Sequence, residues 1–408
     1  MRSPLRFLVA IGALLFVASF EQARAQFNFA SDDASSGVYS PSWDNGDNGG
    51  TGFGGWGLSA GASSGWFVGN PNNNGISTAS MGTTAFGLYA TGSAYMNASR
   101  GFSTGLQVGD IFIFDWGINW DANGGAKGFD LKAGGTTLVT ILNSGGANVP
   151  NISGGTMGTI DSSYGTGNMS VSITRTTTGY NFSMTRRSTG TTFTGTFGGA
   201  NDVLDNINFF IGGQNEGNGN RNMFFDNLRI TNTGVFNQGG SITYNRALSG
   251  SGALSVTSNT TLILAVDGST TFSGASTVFS GSTLQIGNGG GVGDIAGNIT
   301  NNGTVIFNRN ANTLAYNGVI SGSGGVTKNG AGGQITLGGV NTYNGKTIIN
   351  GGTVSIAADS GLGTAPGTAV ADQIQLAGGI LATSANLTLG STAWLRSGVL
   401  GLRFPLDT

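Results

Sequence analysis

Between Gly324 and Val354 the chain reads GGVTKNGAGGQITLGGVNTYNGKTIINGGTV, short apolar pairs alternating with Gly and Asn at a spacing that no helix tolerates. Val326, Ile335, Leu337, Ile348 and Val354 are expected to point inward from short strands. Gly and Asn form corners where φ turns positive, and Thr fills the outward positions. Variants of the unit recur as GSTLQIGN from Gly281, NGTVIFNR from Asn302, GGTVSIAA from Gly351 and AGGILATS from Ala377. Thr283 to Thr304 is 21 residues and Val354 to Leu376 is 22. A period near twenty predicts stacked rungs of a β-solenoid, about eight of them over roughly 40 Å at ~4.8 Å per rung.

The chain divides near residue 234. Trp43, Trp56, Trp66, Trp116 and Trp120 all precede it, and aromatic-rich segments continue to Phe225; beyond Gly234 the sequence turns to Gly, Thr and small aliphatic residues. Between Gln26 and Thr233 the segments FGLYAT, GDIFIFDWGINW, FDLKAG, TTLVTIL, MSVSITRT, GYNFSMTRR, TTFTGTF, INFFIGGQ and MFFDNLRIT alternate with period two and are separated by turn residues. About a dozen such strands over some 200 residues predict a jelly-roll-like β-sandwich, so the whole chain reads as all-β. In the last of these segments Phe225, Leu228 and Ile230 are expected to divide between two faces, with Asp226 and Asn227 at a turn or bulge.

Two resemblances follow from these residues. The segment 281–358 resembles the autotransporter-associated β-strand repeat, also called the passenger-associated transport repeat. Lys328, Gly330, Gly332, Leu337, Gly339, Asn341, Thr342, Tyr343, Gly345, Thr347, Ile349, Gly352 and Val354 follow its pattern in order, with one extra residue near Gly333. The resemblance implies a parallel β-helix passenger at a bacterial surface. A self-translocating member would continue into a membrane β-barrel, whereas this sequence ends at Thr408 without one, which leaves another release route or a longer passenger. Met223–Thr231 is similar to the closing strand of concanavalin-type lectin and laminin-G-like sandwiches, which supports the sandwich at 26–233.

An exported protein is expected from the N-terminus as well. Arg2 and Arg6 precede an apolar run from Phe7 to Phe20, and Ala23-Arg24-Ala25 is a small-x-small cleavage site, so residues 1–25 read as a signal peptide. No later stretch is apolar for twenty residues, so no transmembrane helix is expected in the mature chain. Removing the leader takes Arg2, Arg6, Arg24 and Glu21 from a chain of net charge −2, leaving about −4, which argues against nucleic-acid binding. Charged residues make up only 9% of the chain, yet 38% is hydrophobic with 24 Phe, enough to build cores and to exclude Gly-rich disorder. Cysteine is absent, and stacked rungs do not require it.

Catalysis is tested by inventory. The chain has no His and no Cys, and Glu216 is the single Glu after the leader. A nucleophile relay would need Lys or Asp in place of imidazole. Asp110 and Asp115, the nearest approach to the Glu-x-Asp-x-x-Glu strand pattern of sandwich glycoside hydrolases, are five apart and so face opposite sides of a regular strand. Gly345-Lys346-Thr347 lacks the first Gly of a phosphate loop and no helix follows it. Oxygen-rich loops do suit a metal: Asp44, Asp47, Asp121 and Asp130 are the candidate ligands of a structural Ca2+, while Asx turns explain the same residues without an ion. No other cofactor is expected. Tryptophans beside these loops read either as sugar platforms or as core, and packing favours the core.

The resulting expectation is a secreted or surface-displayed, non-enzymatic structural or adhesion protein, with a β-helix stalk presenting a lectin-like sandwich to extracellular polysaccharide or another cell-surface ligand and associating with the cell envelope. The alternative is a divergent polysaccharide-acting enzyme using Asp carboxylates, and a ligand-free matrix component is the third reading.

Overall fold

The computed structural model describes residues 27–118, 125–144, 150–157, 168–213, 222–267, 271–368, 370–385 and 393–397. The leader 1–25, Asp121, Trp120 and Glu216 lie outside the described residues. The chain separates into two compact units, Asn28–Asn232 and the part from Thr233 onward.

The first unit is built from β1 (Phe27–Asp32), β2 (Phe53–Ala60), β3 (Ser64–Gly69), β4 (Ala85–Ala90), β5 (Tyr95–Phe102), β6 (Asp110–Ile118), β7 (Ala126–Ala133) and β8 (Thr136–Ser144). There follow β9 (Asn151–Ser153), β10 (Gly155–Met157), β11 (Asn168–Arg175), β12 (Tyr180–Arg186), β13 (Thr192–Phe197), β14 (Asn206–Gly212) and β15 (Met223–Asn232). They form two antiparallel sheets. One has nine strands in the order β10-β13-β12-β11-β6-β15-β4-β3 with β1 beside β15, and the other has six in the order β2-β5-β14-β7-β8-β9.

Alternation explains the packing. Phe112, Phe114 and Trp116 of the larger sheet, and Ala98, Phe129, Ile141, Ile207 and Phe209 of the smaller, turn inward and are fully buried in one core. At the centre the rings of Phe209 and Phe225 stack with centroids 3.7 Å apart and planes 2° from parallel. A bulge in β15 corrects one expectation. Its pairing with β6 shifts between Asp226 and Arg229, with Asn227 in the left-handed region at φ 56°. The extra residue resets the alternation, so Phe225, Leu228 and Ile230 all enter the same core instead of dividing between faces.

The second unit is a solenoid of three parallel sheets with five, eight and four strands. Thr261, Thr283, Thr304 and Gly325 stand in register, at steps of 22, 21 and 21 residues. Inward positions stack into columns, and one column runs Tyr244, Leu264, Ile286, Phe307, Lys328, Ile349, Leu376.

Two details of the predicted rungs differ. Ile349, fully buried, points inward and Ile348 does not, because Thr347 occupies the inward position before it and hydrogen bonds the buried Tyr343 hydroxyl at 2.7 Å. Val354 pairs with Leu381 and not Leu376, since this rung spans 27 residues and accommodates a 3-10 turn at Asp359–Leu362.

Asn side chains replace missing ladder bonds. Asn341 Oδ1 accepts the Ile320 N–H at 2.8 Å, and its Nδ2 donates to Gly361 O at 2.8 Å, bridging neighbouring rungs past the last strand of the five-stranded sheet. Lys328, 2% exposed, interrupts an apolar column. Its ammonium turns to the corner and donates to the carbonyls of Arg309 (3.0 Å), Asn329 (2.5 Å), Gly330 (3.4 Å) and Gly332 (3.2 Å). Burial lowers its pKa from the usual lysine value.

Candidate functional site

The six-stranded sheet presents a polar outer face because its central strands β5 and β14 alternate in register. On β5, Met96, Ala98, Arg100 and Phe102 are buried on the core side while Tyr95, Asn97, Ser99 and Gly101 face outward. On β14, Ile207, Phe209 and Ile211 are inward, leaving Asn206, Asn208, Phe210 and Gly212 outward. Register aligns these residues across strands: Asn208 lies opposite Ser99 and Asp130, and Asp130 opposite Thr140.

The side chains of this face form one hydrogen-bonded row. Asn208 Nδ2 donates to Asn97 Oδ1 at 3.1 Å and to Asp130 Oδ2 at 3.3 Å, and Thr140 Oγ1 donates to Asp130 Oδ1 at 2.7 Å. Lys132 Nζ stands 3.9 Å from the same carboxylate. At one end Tyr95, 60% exposed, lies across the sheet over its cross-strand partner Gly212. A Cβ at Gly212 would sit 2.0 Å from Tyr95 Cδ1, so only glycine lets the ring lie down. Half-buried Phe210 sits one two-residue step, about 7 Å, along β14 from Gly212. The face therefore joins aromatic surface to amide, hydroxyl and carboxylate groups, the combination that binds the apolar and hydroxylated sides of a sugar.

Of the predicted metal ligands, Asp121 lies outside the described residues, and Asp44, Asp47 and Asp130 do not converge on one point. Asp44 and Asp47 share one turn: Asp47 Oδ2 accepts the Asp44 N–H at 2.7 Å, and Asp44 Oδ2 accepts the Ser42 hydroxyl at 2.5 Å. Asn45 Oδ1 accepts the Leu58 N–H. Asp130 is mid-strand in β7 and belongs to the polar row. Among the described residues no three His, Cys, Asp or Glu side chains converge as a metal would require.

What holds the 44–49 turn is Arg100, whose inward position in β5 sequence reading did not recognise. Its fully buried guanidinium pairs with Asp32 at 2.6 Å, donates to Asp47 O at 3.1 Å and Asn48 Oδ1 at 2.8 Å, and lies 4.7 Å from the Trp56 ring centre. Burial raises the Asp32 pKa, with Arg100 pulling the other way. Tyr39, whose hydroxyl donates to Asp32, is pushed up to about 12, chiefly by burial. Trp43, Trp56 and Trp116 are core residues, and half-buried Trp66 donates its indole N–H to Trp43 O at 2.5 Å.

The carboxylates of β6 are separated by the strand. Asp110 is on the Phe112 side, where Asn232 Nδ2 reaches its Oδ1 at 3.1 Å. Asp115 is on the opposite side and is held by Arg187 at 2.5 Å, Asn227 at 2.8 Å and Ser80 at 3.0 Å.

Comparison with known proteins adds one close match. A stretch of 56 residues, 14% of the chain, is 61% identical to part of "Adhesin BmaC autotransporter" from Brucella suis biovar 1 (strain 1330). That stretch is 2% of the adhesin's length, so the chain spans a small fraction of it. No family model matches the chain. The local identity and the solenoid together fit an autotransporter-like passenger.

Solved structures give only distant likeness. A sialidase covers 44% of this chain and 17% of its own at 10% identity, with a TM-score of 0.32. The CBM2 module of the Lactobacillus casei BL23 phage J-1 evolved Dit covers 51% of this chain and 96% of its own at 10% identity and a TM-score of 0.30. The lectin UEA-II, solved with galactose, covers 43% and 91% at 11% identity and 0.26. At these scores none bears on ligand or chemistry. Among the described residues no helix is long and apolar enough to cross a membrane.

Proposed function

We propose that this is a secreted or surface-displayed adhesion protein without enzymatic activity, whose sandwich recognises extracellular polysaccharide through the outer face of the six-stranded sheet. In this reading residues 281–358 are a divergent autotransporter-associated repeat, and the solenoid serves as scaffold. The observation that carries the proposal is Tyr95 lying flat over Gly212 on the same face as the Asn97, Asn208, Asp130 and Thr140 row. The local identity to an adhesin supports surface display. Asp110 and Asp115, on opposite faces and each engaged by protein donors, support a binding role over hydrolysis.

A glycan array probed with the full chain, with and without a chelator, tests this reading. Binding that survives chelation is expected, because the Asp44 and Asp47 carboxylates already accept protein donors. Absence of binding to every glycan would end the adhesin proposal, and binding lost on chelation would move the site to the 44–49 turn.

A further inference from the structure

A groove of about 460 Å3 runs along the four-stranded sheet of the solenoid. Its lining comes from four successive rungs, with Thr313, Gln334, Thr353 and Ile380 in register as one outward column. The repeat along the groove is therefore the rung spacing, ~4.8 Å.

The backbone of the lining is already spent on the solenoid. Gln334 N–H donates to Asn312 O at 3.1 Å, Thr353 N–H to Gly333 O at 3.0 Å and Ile380 N–H to Gly352 O at 2.8 Å. An extended peptide therefore has no free strand edge to pair with here. The side chains are different. The Asn312 amide and the Thr313 and Thr353 hydroxyls make no hydrogen bond to the described residues, and only Gln334 is engaged, weakly, with Thr336 at 3.3 Å. No charged side chain lines the groove. The Lys328 ammonium lies behind the floor at Gly352 and is taken up by four carbonyls. A Cβ at Gly352, where φ is +63°, would meet Gly332 O at 2.4 Å and Lys328 Nζ at 2.9 Å, so a side chain there would collide with the groove's floor.

We propose that this groove binds one uncharged, hydroxyl-rich linear polysaccharide lying along the solenoid axis. Free amide and hydroxyl groups on successive rungs exchange hydrogen bonds with sugar hydroxyls, and Ile380, 61% exposed, offers apolar contact to the sugar ring at one end. The absence of lining charge selects against acidic polymers. This site is independent of the sandwich face.

Native gel electrophoresis of the full chain tests it, using gels containing dextran, galactomannan or hydroxyethylcellulose, with alginate as the acidic control. Wild type and Tyr95→Ala are expected to be retarded by at least one neutral polymer and not by alginate. The double variant Gln334→Ala/Thr353→Ala is expected to bind about tenfold more weakly, from the loss of two or three hydrogen bonds. Thr313→Ala, at an exposed position, gives a smaller loss and guards against misfolding of the double variant. No retardation by any neutral polymer overturns the groove. Retardation lost in Tyr95→Ala but kept in the double variant also overturns it, while leaving the sandwich reading in place.

Discussion

Asp226→Asn removes a carboxyl that the fold holds in an unfavourable state. Asp226 is 1% exposed on the side of β15 away from the core, and its pKa is raised from 3.8 to about 8. Burial is the main cause; nearby Asp33 and Asp115 add to it, and the Ala34 N–H, donating to Oδ1 at 2.9 Å, opposes it. Between about pH 4 and pH 8 the folded protein keeps this proton while the unfolded chain has lost it. Folding then takes up a proton, and stability is fully present below pH 4 and falls as pH rises through the window.

The slope is at most ~1.4 kcal/mol per pH unit and halves near pH 8, so wild type should lose roughly 3–4 kcal/mol between pH 5 and pH 8 through this group. The chain has no His, so no imidazole contributes in that interval. Asp32, also raised by burial, adds a slope of the same sign that the variant retains. Asn can still accept the Ala34 N–H, so Asp226→Asn should be more stable than wild type at pH 8 and much less pH-dependent. Urea titrations at pH 5, 6, 7 and 8 check this by tryptophan fluorescence, which reports the sandwich because five of the six Trp precede residue 121. Wild-type stability that is flat or rises from pH 5 to pH 8, or an unchanged slope in Asp226→Asn, would refute the reasoning.

Lys328→Ala should destabilise the solenoid by roughly 2–4 kcal/mol, since it leaves buried corner carbonyls without a donor and opens a gap in the inward column; Lys328→Met, which refills the column, should recover only part of this in thermal unfolding followed by circular dichroism. Gly212→Ala should displace the Tyr95 ring and weaken glycan binding while the far-ultraviolet spectrum stays that of wild type, and a binding isotherm reads the effect.

Much of this architecture is written locally. The nine segments named in the sandwich all form strands, because each carries its own period-two pattern between turn residues, although the unit has fifteen strands where about a dozen are expected. The 21-residue spacing of Thr283 and Thr304 is the observed register, because every rung must bring the same inward position back into line. Ile348 and Ile349 could not be ordered from sequence, since the phase is set by Thr347 and its bond to Tyr343. Phe225 and Leu228 share a face only because a bulge intervenes, and DNL marks its place without revealing its effect on alternation.

The site was less legible. Tyr95 and Arg100 fall in YMNASRGF, where Gly, Ser and Asn mask a strand. The meaning of Tyr95 depends on a glycine 117 positions later, which only the pairing of β5 with β14 brings beneath it. Acidic loops drew attention to Asp44 and Asp47, whereas the fold engages them in a turn tied down by Arg100.

The central claim is that the outer face of the six-stranded sheet recognises sugar. It is tested most directly by titrating the best array ligand into full-length wild type, Tyr95→Ala and Asn208→Ala. The account predicts saturable binding by wild type and a loss of about tenfold or more in each variant, with unfolding midpoints near that of wild type for Tyr95→Ala. Equal affinity in all three proteins would contradict it.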